Sequence, residues 1–342
     1  MELKDKIQGI LGCTAIGDAM GSVTENLTFD QIREMIDGQL TEFAKPGKTA
    51  FALGNEAGEI TDDFSQVYLI LKEVLKNGGI LDKDTVIQAI LKWSEIPKWF
   101  NRFAGPTTRT AIAMYKDPAL KMKPLPGAVT VDYASKATNG AAMKIAPAGI
   151  LNPGNIEGAI EDAIVIAQVT HDNSLAISGA CAVACAAAAG LAEGAVMDEV
   201  LAAGMYGAIR GETIACRVSR DVAGASVVER IKLAIQIAEG VGNKEEKLKK
   251  IAQVVGCGLH ISEAVPCAFG IIALNKEDAL QAVFDAVNIG YDTDTIAAIV
   301  GTMVGAFADV KGEKFKELYQ QVQKANGIDL NTLTEDLIKI VK

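Results

Sequence analysis

The feature that most constrains this chain is a pair of aspartates that opens an otherwise uncharged helix near the C-terminal end. Residues 290–295 read GYDTDT and are followed at once by IAAIVGTMVGAFA, residues 296–308. An apolar run without a polar face predicts a helix buried inside the protein. Buried charge is costly unless it is compensated, and no Lys or Arg occurs between Lys276 and Lys311. Asp292 and Asp294 therefore predict a metal ion, and their hard oxygen donors favour Mg²⁺, Mn²⁺ or Ca²⁺ over Zn²⁺.

A second acidic stretch, Thr61-Asp62-Asp63, also precedes apolar residues at helical spacing. If the two stretches face each other across a cleft, their four carboxylates and several hydroxyls suffice for one or two divalent cations. Asp and Thr at a helix start are also common N-caps, and for either stretch alone a cap is the better interpretation. Both together favour a metal site. An EF-hand is excluded because the sixth position from Asp292 is Ala297 and not glycine.

Composition bounds the remaining possibilities. Apolar residues make up 49% of the 342 residues but aromatic residues only 5%, which predicts closely packed helices with small residues at their contacts. The net charge of −10 argues against nucleic acid as the main partner. The uncharged run 173–192 is rich in Ala, Gly, Ser and Cys, so we interpret it as a buried central helix and not as a membrane span.

Two further patterns indicate a cytoplasmic protein. Residues 1–9 are polar and charged, without the apolar segment of a secretory signal. The six cysteines show no CxxC pair and no neighbouring histidine that would complete a zinc site, so we expect reduced, mostly buried thiols.

Several shorter segments add candidate site residues or local predictions. Asp18 lies in a glycine-rich first helix and is expected to be structural or to support the site, and Glu25 just beyond it is a candidate site carboxylate. His171 lies at a polar helix junction like those of the two acidic stretches, although a lone histidine is more often structural. Residues 82–100 predict one helix ending at Trp99, and Thr107 or Thr108 is expected to cap the next one.

Extended alternating segments are almost absent, which predicts an all-α protein. We expect one compact domain over residues 1–342, built as a bundle with its site at one end. The turn at residues 139–142 is small and polar; tight packing is its simpler interpretation, and close approach to a phosphate is the alternative.

At this point the chain resembles the ADP-ribosylglycohydrolase family. The likeness runs over nearly the whole chain and is carried by five stretches in the family's order, with a weaker sixth at residues 263–266. The five are residues 17–25, residues 61–63, residues 139–147, Thr170-His171, and residues 292–295.

The resemblance implies the fold and chemistry of that family: a compact multi-helix orthogonal bundle with two Mg²⁺ ions, or Mn²⁺, in a cleft. The reaction would be hydrolysis at the anomeric carbon of a ribose, on an ADP-ribosylated protein or a small molecule. Glu25 and Asp63 would be catalytic. Metal ligands would be Thr61, Asp62, Asp63, Asp292, Asp294 and Thr295, and substrate contacts would be Asn139, Gly140, Ala141, Met143, His171 and Tyr291.

Four departures from the family's pattern spare the metal ligands and alter the pocket. Phe64 replaces a threonine after the acidic pair, Tyr291 replaces a glycine, and Lys144 stands where arginine is commoner. Residues 101–106 include Arg102 but no carboxylate, whereas family members that cleave ADP-ribosylarginine use an acid in this loop. Metal-dependent glycohydrolase chemistry is therefore better supported than that particular substrate. The alternatives are hydrolysis of another N-riboside with the same metals, and a non-catalytic ADP-ribose-binding member; oligomeric state is left open.

Overall fold

A computed structural model describes residues 1–36, 38–48, 50–122 and 133–341, and in these ranges the regular structure is helical. Besides the helices, the described residues form only two isolated β-bridges, Thr138 with His260 and Asn173 with Arg220. The prediction of an all-α protein is confirmed. The seventeen α-helices of the described residues are α1 (Leu3–Gly21), α2 (Phe29–Ile36), α3 (Asp62–Lys76), α4 (Lys83–Trp93), α5 (Pro97–Phe103), α6 (Pro106–Lys116), α7 (Ala146–Ile150), α8 (Ile156–Thr170), α9 (Ser174–Leu191), α10 (Met197–Val218), α11 (Val227–Glu239), α12 (Lys244–Lys250), α13 (Ile261–Ala273), α14 (Ala279–Val287), α15 (Thr293–Val304), α16 (Glu313–Asn326) and α17 (Leu330–Ile340).

Helix α9 runs through the middle of the protein. Its length and apolar composition would allow it to cross a membrane, yet the whole of it is buried inside the structure. Helices α7, α8, α10, α13 and α15 pack around it. This agrees with the interpretation of residues 173–192 as a central helix. One continuous apolar core extends from α1 to α17, and a single domain over residues 1–342 stays a prediction with which that core agrees.

Helix α1 packs on α15 with direct backbone contact, and glycine makes that contact possible. A Cβ atom on Gly21 would lie 2.5 Å from Cα of Asp294, and one on Gly17 would lie 2.4 Å from the carbonyl oxygen of Ala297. Any side chain there would force the helices apart. The glycine contact brings Asp18 of α1 beside the start of α15.

Two local predictions were wrong, and proline explains both. Residues 82–100 form two helices, because α4 ends at Trp93 and Pro97 starts α5 after a short turn. Helix α6 is capped by Gly105 and not by Thr107 or Thr108, because Pro106 occupies its first position, where a missing N–H costs nothing.

Candidate functional site

The two acidic stretches begin helices α3 and α15, and the fold brings them together. Thr61 caps α3 by accepting a hydrogen bond from the backbone N–H of Asp63. Asp292 stands at the N-cap position of α15. The hydroxyl of Thr295 donates to the carboxylate of Asp63 at 3.3 Å. The two Thr/Asp helix starts, which were predicted to face each other across a cleft, are in direct contact.

Asp18 anchors the start of α3 from helix α1. Its carboxylate accepts the backbone N–H groups of Thr61 and Phe64, each at 3.0 Å, and the Thr61 hydroxyl at 2.7 Å. Carboxylate oxygens of Asp18, Asp63 and Asp294 lie within 4.8 Å of one another. Asp18 therefore supports the site, as its position in a glycine-rich helix suggested.

A second group of acids adjoins the first and includes Glu25. Carboxylate oxygens of Glu25, Asp292 and Asp294 also lie within 4.8 Å of one another, so Asp294 belongs to both groups. Asp292 accepts a short hydrogen bond from the side-chain amide of Asn139. The Oε2 atom of Glu25 is buried and has no hydrogen-bond partner among the described residues. An unpartnered carboxylate oxygen among other acids is a position that a cation would satisfy.

Burial and mutual repulsion keep these acids partly protonated when no metal is bound. Burial is the largest cause and the charge of Asp294 the next: together they raise the pKa of Glu25 to about 10 and of Asp62 to about 7, and the pKa of Asp18 to about 8. The same two causes raise the pKa of Asp63 and of Asp292 well above the usual range. The site has a strong excess of negative charge.

Lys144 is the cation that faces these acids. Its side chain is fully buried, and its ammonium group donates to the carbonyl oxygen of Gly140 at 2.5 Å. Burial lowers the pKa of Lys144 to about 8, against the opposing effect of Asp62 and Asp63. One lysine stands against six carboxylates, those of Asp18, Glu25, Asp62, Asp63, Asp292 and Asp294. A donor set of hard oxygens with this charge fits divalent cations such as Mg²⁺ or Mn²⁺.

His171 is a neutral, positioned ring beside the 139–143 turn. Its two ring nitrogens hydrogen-bond to the hydroxyls of Thr170 at 2.7 Å and Thr138 at 2.8 Å. Burial and then the charge of Lys144 hold its pKa well below the ordinary value, so the ring stays uncharged near neutral pH. A Cβ atom on Gly140 would lie 2.9 Å from the ring, so the turn needs glycine there to pack against the histidine.

These groups line one cavity of about 400 Å³. Most predicted site residues face it: Glu25, Asp62, Asn139, Gly140, Met143, His171, Tyr291, Asp292, Asp294 and Thr295. Thr61 and Asp63 lie behind that wall, buried among their hydrogen-bond partners. Ala141 is fully buried in the turn and does not line the cavity.

Sequence reasoning missed part of the cavity wall. Phe51, Phe103, Thr107, Thr138 and Leu259 contribute to it from loops and helix ends. Phe51 and Phe103 contact each other with ring centroids 6.3 Å apart, and 59% of Phe51 is exposed to solvent. A phenylalanine inside the polar segment 43–59 was the one available signal. No Lys or Arg is among the described residues that line this cavity.

Tyr291 lines the cavity and links the segment after Glu25 to the start of α15. Its backbone lies in the left-handed region at φ +61°, which is unusual for a residue other than glycine. Its N–H donates to Leu27 and its carbonyl oxygen accepts from the N–H of Asn26, at 2.8 and 2.7 Å. The two hydrogen bonds fix the Glu25 loop against the start of α15.

Comparison with known proteins places these features in a family. The sequence model of the ADP-ribosylglycohydrolase family matches residues 1–341. The chain is 28% identical to the uncharacterized protein YegU of Escherichia coli, covering 98% of this chain and 97% of that one. It is 25% identical to the ADP-ribosylarginine hydrolase Tri1 of Pseudomonas putida, covering 90% of this chain and 72% of that one. A solved structure described as an ADP-ribosylglycohydrolase-related protein complex matches the fold with a TM-score of 0.70, at 20% identity, over 100% of this chain and 99% of its own.

Proposed function

The chain belongs to the ADP-ribosylglycohydrolase family, and on that premise we propose that it is a divalent-metal-dependent hydrolase of the glycosidic bond at a ribose anomeric carbon. The family supports a glycohydrolase that acts on ADP-ribosylated substrates, either proteins or small molecules. One observation carries the metal dependence. Acids from three separate segments of the chain meet at or just behind the wall of one cavity, where Lys144 is the one lysine of the described residues that opposes them.

We propose that Asp62, Asp63, Asp292 and Asp294 hold two Mg²⁺ or Mn²⁺ ions, with the hydroxyl oxygens of Thr61 and Thr295. Such ions, when bound, supply Lewis-acid polarisation and lower the pKa of water. The buried Oε2 of Glu25 supports this proposal, because no described residue donates a hydrogen bond to it.

The protein's own groups would position the substrate and move the proton. Glu25 is the proposed base: bound cations would lower the pKa that burial and the neighbouring acids raise, and its ionised Oε2 would then accept a proton from the attacking water. Asn139 fixes the carboxylate of Asp292 through its short hydrogen bond. Met143, Phe103 and Leu259 give the cavity apolar walls that exclude bulk water from the reacting carbon.

The structure does not favour arginine as the leaving group of the substrate. The only charged residue in the 101–106 segment, Arg102, turns away from the cavity. Its guanidinium donates to the side chain of Asn55 and to the carbonyl oxygens of Ala52 and Leu53. It thereby fixes the loop that carries Phe51. Phe51 and Phe103 form this part of the cavity wall, and residues 101–106 provide no carboxylate that could pair with a guanidinium. A leaving group other than a guanidinium is therefore favoured.

One observation favours a second candidate, a hydrolase of a simpler N-riboside. Among the described lining residues no Lys or Arg is available to a diphosphate inside the cavity. A nucleoside-like substrate would need none. Calorimetry with ADP-ribose, in Mg²⁺ and then in EDTA, separates the two: metal-dependent binding supports the ADP-ribosyl substrate, and absence of binding in a folded, Mg²⁺-binding protein supports the riboside.

Turnover tests the proposed reaction directly. We expect release of the leaving group from ADP-ribosylated substrates in Mg²⁺ and none in EDTA. Asp62→Ala and Asp292→Ala should abolish turnover with an unchanged helical circular dichroism spectrum. Asp84→Ala, an exposed acid on α4, is the matched control and should keep full activity. Full activity of either site variant would refute the metal-dependent reaction.

A further inference from the structure

A second groove adjoins the catalytic cavity on the side of His171. It has a volume of about 350 Å³ and shares Thr107 and His171 with the cavity as a common wall. Its other walls come from α6, from the end of α8, and from the segments that carry Lys136 and Arg220. Glu25 and Tyr291 line the cavity but not this groove. The two spaces therefore meet at Thr107 and His171.

The groove is cationic, unlike the cavity and unlike the chain as a whole. Lys83, Lys136 and Arg220 line it, and Asp172 is the one carboxylate among its described lining residues. Within the described ranges none of the three cations forms an ion pair with a carboxylate. Three such cations in one groove are unusual in a protein whose net charge is −10. Within the described part of the chain no ion pair neutralises these cations, so they can attract an anionic ligand.

Arg220 is held in a geometry that suits an anion. Its guanidinium carbon lies 3.7 Å from the ring centroid of Tyr133, and the ammonium of Lys136 lies 5.2 Å from the same centroid. At this distance the guanidinium lies against the ring, and its N–H groups can form paired hydrogen bonds with phosphate oxygens.

The start of α9 fixes the two segments that carry these cations. The side-chain amide of Asn173 lies 3.4 Å from the carbonyl oxygen of Lys136, and the N–H of Ser174 donates to the carbonyl oxygen of Arg220 at 2.9 Å. Asn173 and Arg220 also form one of the isolated bridges. The backbone of both segments is therefore linked to the start of the central helix α9, which fixes the positions from which Lys136 and Arg220 extend.

We propose that this groove is an anion-binding subsite, formed by Lys136, Arg220 and Lys83, for a phosphate group of the substrate remote from the scissile bond. This phosphate would lie beyond any group that the 139–143 turn holds. The substrate class would then be a riboside whose distal end is phosphorylated. The assignment to a substrate rests on the proposed function, whereas the anion site itself does not.

Calorimetry with inorganic tripolyphosphate tests the site on the full chain. EDTA is present throughout, so that no metal ion in the carboxylate cluster contributes to phosphate binding. We expect wild-type protein to bind tripolyphosphate, and the double variant Lys136→Gln/Arg220→Gln to bind at least about tenfold more weakly. Arg217→Gln is the matched control: this exposed residue lies three positions from Arg220 and does not line the groove, so binding should be unchanged. Binding should also weaken steeply with added salt.

Two results would overturn the subsite: no binding of tripolyphosphate by wild-type protein, or equal binding by the double variant with an unchanged circular dichroism spectrum. A parallel turnover assay separates this failure from failure of the proposed function. Loss of tripolyphosphate binding in the double variant supports the subsite even if no ADP-ribosylated substrate is cleaved. Turnover without tripolyphosphate binding leaves the glycohydrolase in place and removes the subsite.

Discussion

Thr295 donates its hydroxyl hydrogen to Asp63, with its oxygen 3.3 Å from Oδ1 and 3.4 Å from Oδ2, and thereby ties the start of α15 to the start of α3. The two residues are 232 positions apart in sequence. Asp294 precedes Thr295 in the chain, and after burial its charge is the next cause that raises the pKa of both Asp63 and Glu25.

The metal-free protein should lose stability as pH rises. Burial and the charge of Asp294 raise the pKa of Asp62 to about 7 and of Asp18 to about 8, whereas both titrate near ~4 in an unfolded chain. Between these values the folded state holds protons that the unfolded chain has released, so the free energy of unfolding falls with pH. In EDTA the melting temperature should fall from about pH 5 to about pH 8, and saturating Mg²⁺ should flatten that slope. Identical slopes with and without Mg²⁺ would contradict the prediction.

The Asp294→Asn substitution should stabilise the metal-free protein and destabilise the protein in Mg²⁺. In EDTA the variant removes the charge common to both acidic groups, so the free energy of unfolding should rise by about 1 kcal/mol or more. In Mg²⁺ it should be less stable than wild type, because it loses the stabilisation that a bound ligand gives the folded state. Urea denaturation under both conditions measures this. Asp84→Asn serves as control and should be neutral in both; a loss of stability in EDTA would count against charge repulsion in the site.

Gly21→Ala should damage both the fold and the site. The added methyl group would lie 2.5 Å from Cα of Asp294 and from the carbonyl oxygen of Thr293, so α15 must move. We expect a loss of about 1–3 kcal/mol in the free energy of unfolding and weaker Mg²⁺ binding by calorimetry. Gly47→Ala is the control, since nothing lies within 4 Å of its added Cβ. Equal stability of the two variants would show that α1 and α15 tolerate separation.

Lys144→Met should be destabilising, and Lys144→Arg should recover most of the loss. Methionine leaves the carbonyl oxygen of Gly140 without its 2.5 Å hydrogen bond and removes the cation that faces Asp62 and Asp63. The expected cost is about 3 kcal/mol, with a raised KM because the 139–143 turn loosens. Arginine keeps both charge and donor. Denaturant unfolding and steady-state kinetics measure the two effects, and a methionine variant with wild-type stability and KM would refute this role.

The sequence was most informative where chemistry and periodicity coincide. The Thr/Asp helix starts at Thr61 and Asp292, the buried run that became α9, and the glycine-rich α1 were all readable, because each combines a repeated spacing with residue types that tolerate few environments.

Other features depend on tertiary contacts that no local pattern encodes. The break between α4 and α5 follows from Pro97, but the periodicity of the flanking residues hides it. Phe51 and Phe103 meet only because Arg102 fixes the loop between residues 50 and 55. Lys144 was noted as a departure from a family pattern, yet its role opposite the acids appears only when α7 and α3 pack together.

The backbone contact between α1 and α15 has a consequence for biosynthesis. A ribosome releases Asp18, Glu25 and the Asp62–Asp63 pair early, whereas Asp292 and Asp294 emerge only when most of the chain has left the exit tunnel. Until then the glycine face of α1 cannot pack on α15. The acids that are synthesised first would remain hydrated and apart. Synthesis of the last acidic stretch would therefore complete the contact between α1 and α15 and bring the acids together at the same late stage. Before that stage the nascent chain would not hold the acids together in a partly formed site.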